Sequence, residues 1–379
     1  MTNRKRGQGE GSVYRRKDGR WAGSVSLGGG RRKNVYGRTA AEVRAKLDEV
    51  QRAIADGRPA SNTRRTVGHL FDEWLTAKRD TVRPKTLDSY AGLIRRHARP
   101  ALGSIPLSDL RVTHLEHFYR DRSAKVSPKT VRNLAFVVRA ALAWAERRDW
   151  IARNPANLIA REGLPRLQHR EIQVLSGDEA RSLMDAARGT KSEALIAVAL
   201  VTAARVGELM ALSWDQVDLD AARLRITRSL QYLDGEPTLV EPKTRAGVRE
   251  LALPPNAVTA LRAHRVAQNE TALGLGKAWR NRMNLVFTSQ TGAPLNRHAV
   301  LRQYLRPLLK VAGLPETMNF HLLRHTGASL MLARHVPVPV VQEMLGHANP
   351  AITMSIYSHA LPNSQGLVAE TMNEVFGGD

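Results

Sequence analysis

His321-Leu322-Leu323-Arg324-His325-Thr326 sets an imidazole and a guanidinium three residues apart. On a helix, positions i and i+3 share a face, so the two groups can converge on a single phosphate. In isolation the spacing fits equally a buried His beside a surface Arg. Downstream, Met344-Leu345-Gly346-His347 ends a helix running from position 340, with Gly346 as its stop and His347 exposed at its C-terminus. Asn349 and Pro350 open a further short helix that carries Tyr357 to its far end, where a lone Tyr is ordinarily a packing residue. The region reads as a mainly helical domain.

Working backwards, that domain opens at Ser176-Gly177-Asp178-Glu179, a capping box, behind residues 159–172, which have no apolar period and read as a linker. An apolar helix over 192–201 leads into Thr202-Ala203-Ala204-Arg205-Val206-Gly207-Glu208. Taken alone, Arg205 and Glu208 are an ordinary helix ion pair worth about 0.2–0.5 kcal/mol. Residues 224–227, 239–241 and 248–253 read as short strands, a small antiparallel sheet within the helical domain. Glu241-Pro242-Lys243-Thr244-Arg245-Ala246-Gly247 reads as the turn between two of them, which puts Lys243 at a hairpin tip, a place where a Lys is normally just solvated.

Between positions 65 and 160 the pattern is helical throughout. Thr66 can cap a helix whose Val67, Leu70, Phe71, Trp74 and Leu75 form one buried stripe, and further helices are expected over 86–98, over 113–122 and from Ser127-Pro128 onward. Trp74, Phe118, Phe136 and Trp144 lie on the apolar faces and are expected in the core rather than as base-stacking platforms. Ahead of this bundle, three short strands around Val13, residues 21–27 and residues 33–36 precede a helix over 40–55, capped by Thr39 and carrying Val43, Leu47, Val50 and Ile54. Residues 57–65 read as a linker. The predicted architecture is therefore multidomain α+β: a small N-terminal three-stranded sheet with one helix (1–60), an all-α bundle (65–160) and a mainly α domain with a small antiparallel sheet (172–379).

Charge indicates what such a chain meets. The formal net charge is +23 over 379 residues, which favours a polyanionic partner through accumulation of phosphates and release of their counterions. Residues 1–60 hold 15 Lys/Arg against 6 Asp/Glu, a net +9, with Arg15, Arg16, Lys17, Arg20, Arg31, Arg32 and Lys33 as candidate DNA contacts. Charge alone gives phosphate attraction and no base reading, so a solvated adaptor surface is the alternative. The absence of Cys excludes disulfides, Cys-type zinc sites and a thiol nucleophile. No His-Glu-x-x-His or P-loop pattern occurs, so neither a metal nor a nucleotide cofactor is expected. No apolar stretch approaches the ~20 residues that span a bilayer, and the basic N-terminus leads into polar residues rather than a secretory h-region. A cytoplasmic, nucleoid-associated protein is the expectation.

In order, the Arg205 box, Lys243, His321-x-x-Arg324, Leu345-Gly346-His347 and Tyr357 resemble the tyrosine recombinase or phage integrase family, in the tripartite build of lambda integrase. The resemblance covers about 175–357 strongly and the two preceding segments more loosely, as core-binding and arm-binding domains. It implies a site-specific DNA recombinase that joins DNA to Tyr357 through a 3′-phosphotyrosyl bond. Arg205, Arg324 and His347 would hold the scissile phosphate, His321 would act as base or phosphate ligand, Lys243 as general acid and Glu208 as support. It further implies double-stranded attachment sites and a homotetramer on DNA, with a host DNA-bending protein and an excision factor as further partners. In the family the segment after the Tyr docks on a neighbour, a use that Leu367, Val368, Met372, Val375 and Phe376 suit, as they equally suit packing on their own domain. Where the family commonly has Gly before the residue preceding the first Arg, this chain has Ala203. Two other readings use the same surfaces: a type IB topoisomerase, which relaxes DNA without exchanging partners, and a catalytically silent architectural DNA-binding protein.

Overall fold

The structure, a computed structural model, describes residues 12–16, 18–28, 31–55, 65–159, 163–167, 173–233, 235–242, 244–346, 354, 372–374 and 376. The chain divides into two compact units, residues 1–169 and 170–379.

Within the first unit, β1 (Ser12–Arg15), β2 (Trp21–Gly28) and β3 (Arg31–Gly37) form an antiparallel sheet in that order, followed by α1 (Ala40–Ala55). Thr39 accepts from the Glu42 amide at the helix start, as its position predicts. Strand alternation divides the sheet cleanly. Val13, Trp21, Val25 and Val35 face Val43, Leu47 and Val50 of α1 and make the core. Gly23 lies on the same face, where a Cβ would meet Leu47 at 2.6 Å and Val43 at 2.7 Å, so only glycine lets the helix come this close.

The bundle of the same unit comprises α2 (Val67–Lys78), α3 (Pro84–Leu93), a π-helical turn over Ile94–Ala98 continuing into α4 (Arg99–Leu102), α5 (Val112–Ser123) and α6 (Pro128–Glu146). Thr66 and Ser127 cap α2 and α6 through their side chains, and Pro128 occupies the first turn of α6. Trp74, Phe118 and Trp144 are buried in its core. Phe136 is not: it is 60% exposed and meets only the edge of the core through Tyr90, ring centroids 6.2 Å apart. By helical period it lies on the side of α6 opposite the stripe Val131, Leu134, Val138 and Leu142, the side where Asn133 and Arg139 are also exposed.

The second unit runs α7 (Gly177–Ala187), α8 (Glu193–Thr202), α9 (Val206–Ala211), β4 (Val217–Asp218), β5 (Arg223–Ile226), β6 (Ser229–Leu233), β7 (Glu236–Val240), β8 (Arg249–Ala252), α10 (Pro255–Leu275), α11 (Arg297–Val300), α12 (Arg306–Val311), α13 (Phe320–Ala333) and α14 (Val338–Leu345). The capping box at Ser176 and Glu179 is made as expected. Helix α8 is apolar on all sides, because it is the central element, packed against α7, α10 and α13.

The strands correct one expectation. β7 pairs with β6, whereas β8 pairs with β5 in a separate sheet of order β4-β5-β8. The two strands flanking position 243 therefore do not form a hairpin with each other; residues 241–248 are a connection between two sheets. Pro242 at the start of this connection has no N–H to continue a ladder, and β6, which the short apolar pattern hides, takes the pairing that β8 was expected to supply. Met372 and Phe376, from the C-terminal apolar stripe, are exposed. Among the described residues no helix is long and apolar enough to cross a membrane.

Candidate active site

Arg205 is the N-cap residue of α9, and the geometry around it explains why Glu208 stands three positions on. The Glu208 carboxylate accepts from the Arg205 backbone amide at 3.0 Å and from its Nη1 at 2.8 Å, closing the first turn while fixing the guanidinium. Arg205 remains 44% exposed, so its cation still faces outward to an anion. Glu208 is buried, and its second cationic partner is Arg249 on β8, with Nη2 at 2.8 Å from Oε2. Burial, the largest single influence, would raise the carboxyl pKa; the Arg249 guanidinium together with the Arg205 amide and guanidinium holds Glu208 below the usual carboxylate range.

The turn before Arg205 is strained. Ala203 adopts φ 47° and ψ 30°, the left-handed region that costs an L-residue about 1–2 kcal/mol. This is the position where glycine is the family's commoner choice.

Helix α13 brings the His-x-x-Arg pair to the same place. Asn319 caps it, accepting from the amides of His321 and Leu322. Gly327 makes the approach to α8 possible, since a Cβ there would lie 2.4 Å from the Leu200 carbonyl oxygen. Arg324 then spans the gap, donating from Nη1 to the Ala203 carbonyl at 2.8 Å and from Nη2 to the Leu345 carbonyl at 2.7 Å. The pair is arranged opposite to a buried His with a surface Arg: Arg324 is buried and His321 is exposed, its ring edge-on to the buried His325 with centroids 4.4 Å apart. Partial burial, then the positive charges of Arg324, Arg297 and Arg205, lower the His321 pKa and favour its neutral form, which can accept a proton.

Arg205, Glu208, His321 and Arg324 are thus brought together from helices α9 and α13. Helix α14 ends beside them at Gly346, with φ 61°. Lys243, His347 and Tyr357 lie outside the described residues. Arg249 was not legible as a site residue from motif spacing; its signal is a charged residue at an inward position of β8, where Arg249 and Leu251 are buried and Glu250 and Ala252 exposed. Among the described residues no cluster of metal-ligating side chains occurs.

A model of the phage integrase family matches residues 173–364, and one of the phage integrase N-terminal SAM-like domain matches residues 66–123. The chain belongs to the phage integrase family. An integrase of Streptomyces ambofaciens is 30% identical over 374 residues, covering 93% of either chain. A tyrosine recombinase XerC-like protein of Caldanaerobacter subterraneus is 29% identical over 366 residues, covering 91% of this chain and 92% of its own. Among solved structures, the Tn1549 transposon integrase in complex with transposon right end DNA matches with a TM-score of 0.66 at 22% identity, covering 83% of this chain and 100% of that one. A lambda integrase tetramer bound to a Holliday junction matches with a TM-score of 0.56 at 18% identity, covering 93% of this integrase-family chain and 95% of its own. The mixed α/β fold of these integrases is the fold seen here.

In the N-terminal sheet, the candidate DNA contacts fall on different faces. Tyr14, Ala22 and Tyr36 form a cross-strand row on the face that α1 leaves open, and Arg32 stands opposite Ser26 on that same face. The two tyrosines are about half exposed, and the Arg16 guanidinium lies 5.4 Å from the Tyr36 ring centre. Arg15 belongs to the register of the helix-covered face and donates to the Gly19 carbonyl at the sheet edge, while Arg20 is exposed just before β2. Lys33 shares the covered-face register; the side chains of Arg31 and Lys33, and all of Lys17, lie outside the described residues.

Proposed function

We propose that this tyrosine recombinase acts on double-stranded attachment sites, cutting and rejoining strands through Tyr357 to integrate and excise a mobile element. The observation that carries the reading is the convergence of Arg205, Arg324 and a neutral His321 on one site, in a chain whose sequence continues into Leu345-Gly346-His347 and Tyr357.

The Tyr357 oxygen attacks phosphorus, the bond to the 5′ oxygen breaks, and the DNA 3′ end is left as a phosphotyrosyl ester. A phenol pKa near 10 makes this attack depend on neighbouring cations and on a base, which His321 supplies. Arg205, Arg324 and His347 balance charge on the non-bridging oxygens, and Lys243 delivers the proton that the leaving 5′ alkoxide needs. Glu208 keeps Arg205 in place. Attack by a new 5′-hydroxyl reverses the step, so the phosphodiester's energy is conserved and no nucleotide cofactor enters. The reaction needs two duplexes and four protomers, the assembly in which lambda integrase is seen on a Holliday junction. The open face of the N-terminal sheet, with Tyr14, Tyr36, Arg16 and Arg32, is the surface we assign to arm-type DNA. Such a protein works in the cytoplasm, on the nucleoid, and host bending and excision factors fit the same scheme.

Tyr357→Phe tests the assignment. Covalent adduct on a nicked core-site duplex should vanish while DNA affinity stays within about twofold, because loss of a single hydroxyl changes such an interface by less than about 0.5 kcal/mol. Undiminished strand cleavage by the variant would remove Tyr357 from the mechanism.

A further inference from the structure

Arg249 donates from three different nitrogens to three separate stretches of chain. Its Nη2 meets Glu208 Oε2 at 2.8 Å, its Nε meets the Met344 carbonyl at 2.6 Å and its Nη1 meets the Gly247 carbonyl at 3.1 Å. The side chain is 2% exposed and all three of its nitrogens donate to protein groups, which makes it a support rather than a phosphate ligand. What it joins is informative. Glu208 carries the Arg205 guanidinium on its other oxygen. Met344 lies three residues before His347, in the last turn of α14, whose unpaired carbonyls attract a cation. Gly247 closes the connection that contains position 243. Gly346 is packed against the same group: a Cβ there would stand 3.1 Å from Arg249 Nη1 and 2.9 Å from the Ala246 carbonyl oxygen.

We propose that Arg249 is a positioning residue for strand cleavage, setting the register between Arg205 and the segment that leaves α14 at Gly346 and carries His347 and Tyr357. This rests on the recombinase reading above and adds to it a residue outside the expected catalytic set. A buried Arg–Glu pair alone would be served as well by two apolar side chains. Two further bonds, to carbonyls 2 and 95 residues away, are what an apolar pair cannot reproduce. Arg324 ties the same two regions from the other side, through Ala203 and Leu345, so neighbouring carbonyls at the end of α14 are held by guanidinium groups from different elements. A lysine at 249 keeps the charge beside Glu208, but a single ammonium cannot spread over three acceptors set for a planar fork.

The test uses the full chain and a nicked core-site duplex taken from the DNA that the wild-type protein footprints beside its own gene. Arg249→Lys should bind this duplex within about twofold of wild type and, at saturating DNA, form the covalent adduct about tenfold to a hundredfold more slowly, the cost of an ångström-scale misplacement. A merely structural arginine predicts something else: fewer active molecules and a lower melting temperature, with the single-turnover rate of the folded fraction unchanged. Wild-type cleavage rate in Arg249→Lys at saturating DNA, or a loss confined to affinity, overturns the proposal. Should that variant fail to fold, Gly346→Ala presses on Arg249 from the opposite side and must show the same split, slow adduct formation at retained affinity; a normal rate there overturns it equally. Absence of adduct from the wild-type protein would instead refute the recombinase reading itself.

Discussion

Replacing Glu208 by Ala should be among the costliest single changes in the second unit. The carboxylate is buried and joins two arginines, one exposed and one buried. Removing it leaves the Arg249 cation in the interior without its counter-charge, and breaking a buried pair from one side costs about 3–5 kcal/mol. Loss of the contact to the half-exposed Arg205 adds only about 0.2–0.5 kcal/mol, so the buried partner decides the magnitude. At about 2–4 °C per kcal/mol for a unit of this size, the melting transition of residues 170–379 should fall by about 6–20 °C. The pH dependence identifies the cause. Because the folded-state pKa of Glu208 lies below its ordinary value of 4.5, its stabilisation is fully present above that value and is lost as pH falls through the folded-state pKa. The gap between wild type and variant should therefore be constant from neutral pH down to about 5 and narrow below 4.5. Differential scanning calorimetry across this range reads both quantities. A loss under 1 kcal/mol, or a gap that does not change in acid, would refute the argument that the buried pair governs this site.

Ala203→Gly relieves a left-handed residue, about 1–2 kcal/mol, against about 0.8 kcal/mol for a lost buried methyl group, so the melting temperature should hold or rise by a few degrees. A clear drop would show that Ala203 is there for packing. Gly327→Ala should cost about 2–3 kcal/mol, the upper range for overpacking, because the new Cβ meets a backbone oxygen, and should slow cleavage by drawing α13 and Arg324 away from Ala203; unchanged stability and rate would contradict the close approach. Deleting residues 1–60 should leave adduct formation on a short core-site duplex nearly intact while greatly reducing recombination of full-length attachment sites and erasing footprints outside the core, since two linked DNA-binding modules gain by effective concentration. Equal recombination and an identical footprint would make the sheet a docking module instead.

Motif order was enough to read the family, and Arg205, Glu208, His321 and Arg324 of the expected set meet in the fold, because the chemistry of a phosphodiester narrows the choice of side chains to cations, a base and a nucleophile at recognisable spacings. Helix caps were equally legible: Thr39, Thr66, Ser127 and Ser176 act through the next few amides, an interaction that is local in sequence. One failure was local and the others were not. Phe136 is the local one: the period of α6 itself puts it on the side opposite the buried stripe. The pairing of β8 with β5 rather than β7 joins strands separated by two others, and a short apolar run carries no record of its partner. Which member of the His321–Arg324 pair is buried was left open by the spacing; Gly327 lets α13 approach α8, and Arg324 lies inside with carbonyls as its partners. Arg249 makes the point most directly. The sequence determined that an Arg stands at an inward position of a strand; the tertiary structure alone decided that Glu208, 41 residues away, and the Met344 carbonyl, 95 residues away, would meet it there. A buried guanidinium is stable only where several acceptors converge, and that convergence exists only once the distant segments have packed.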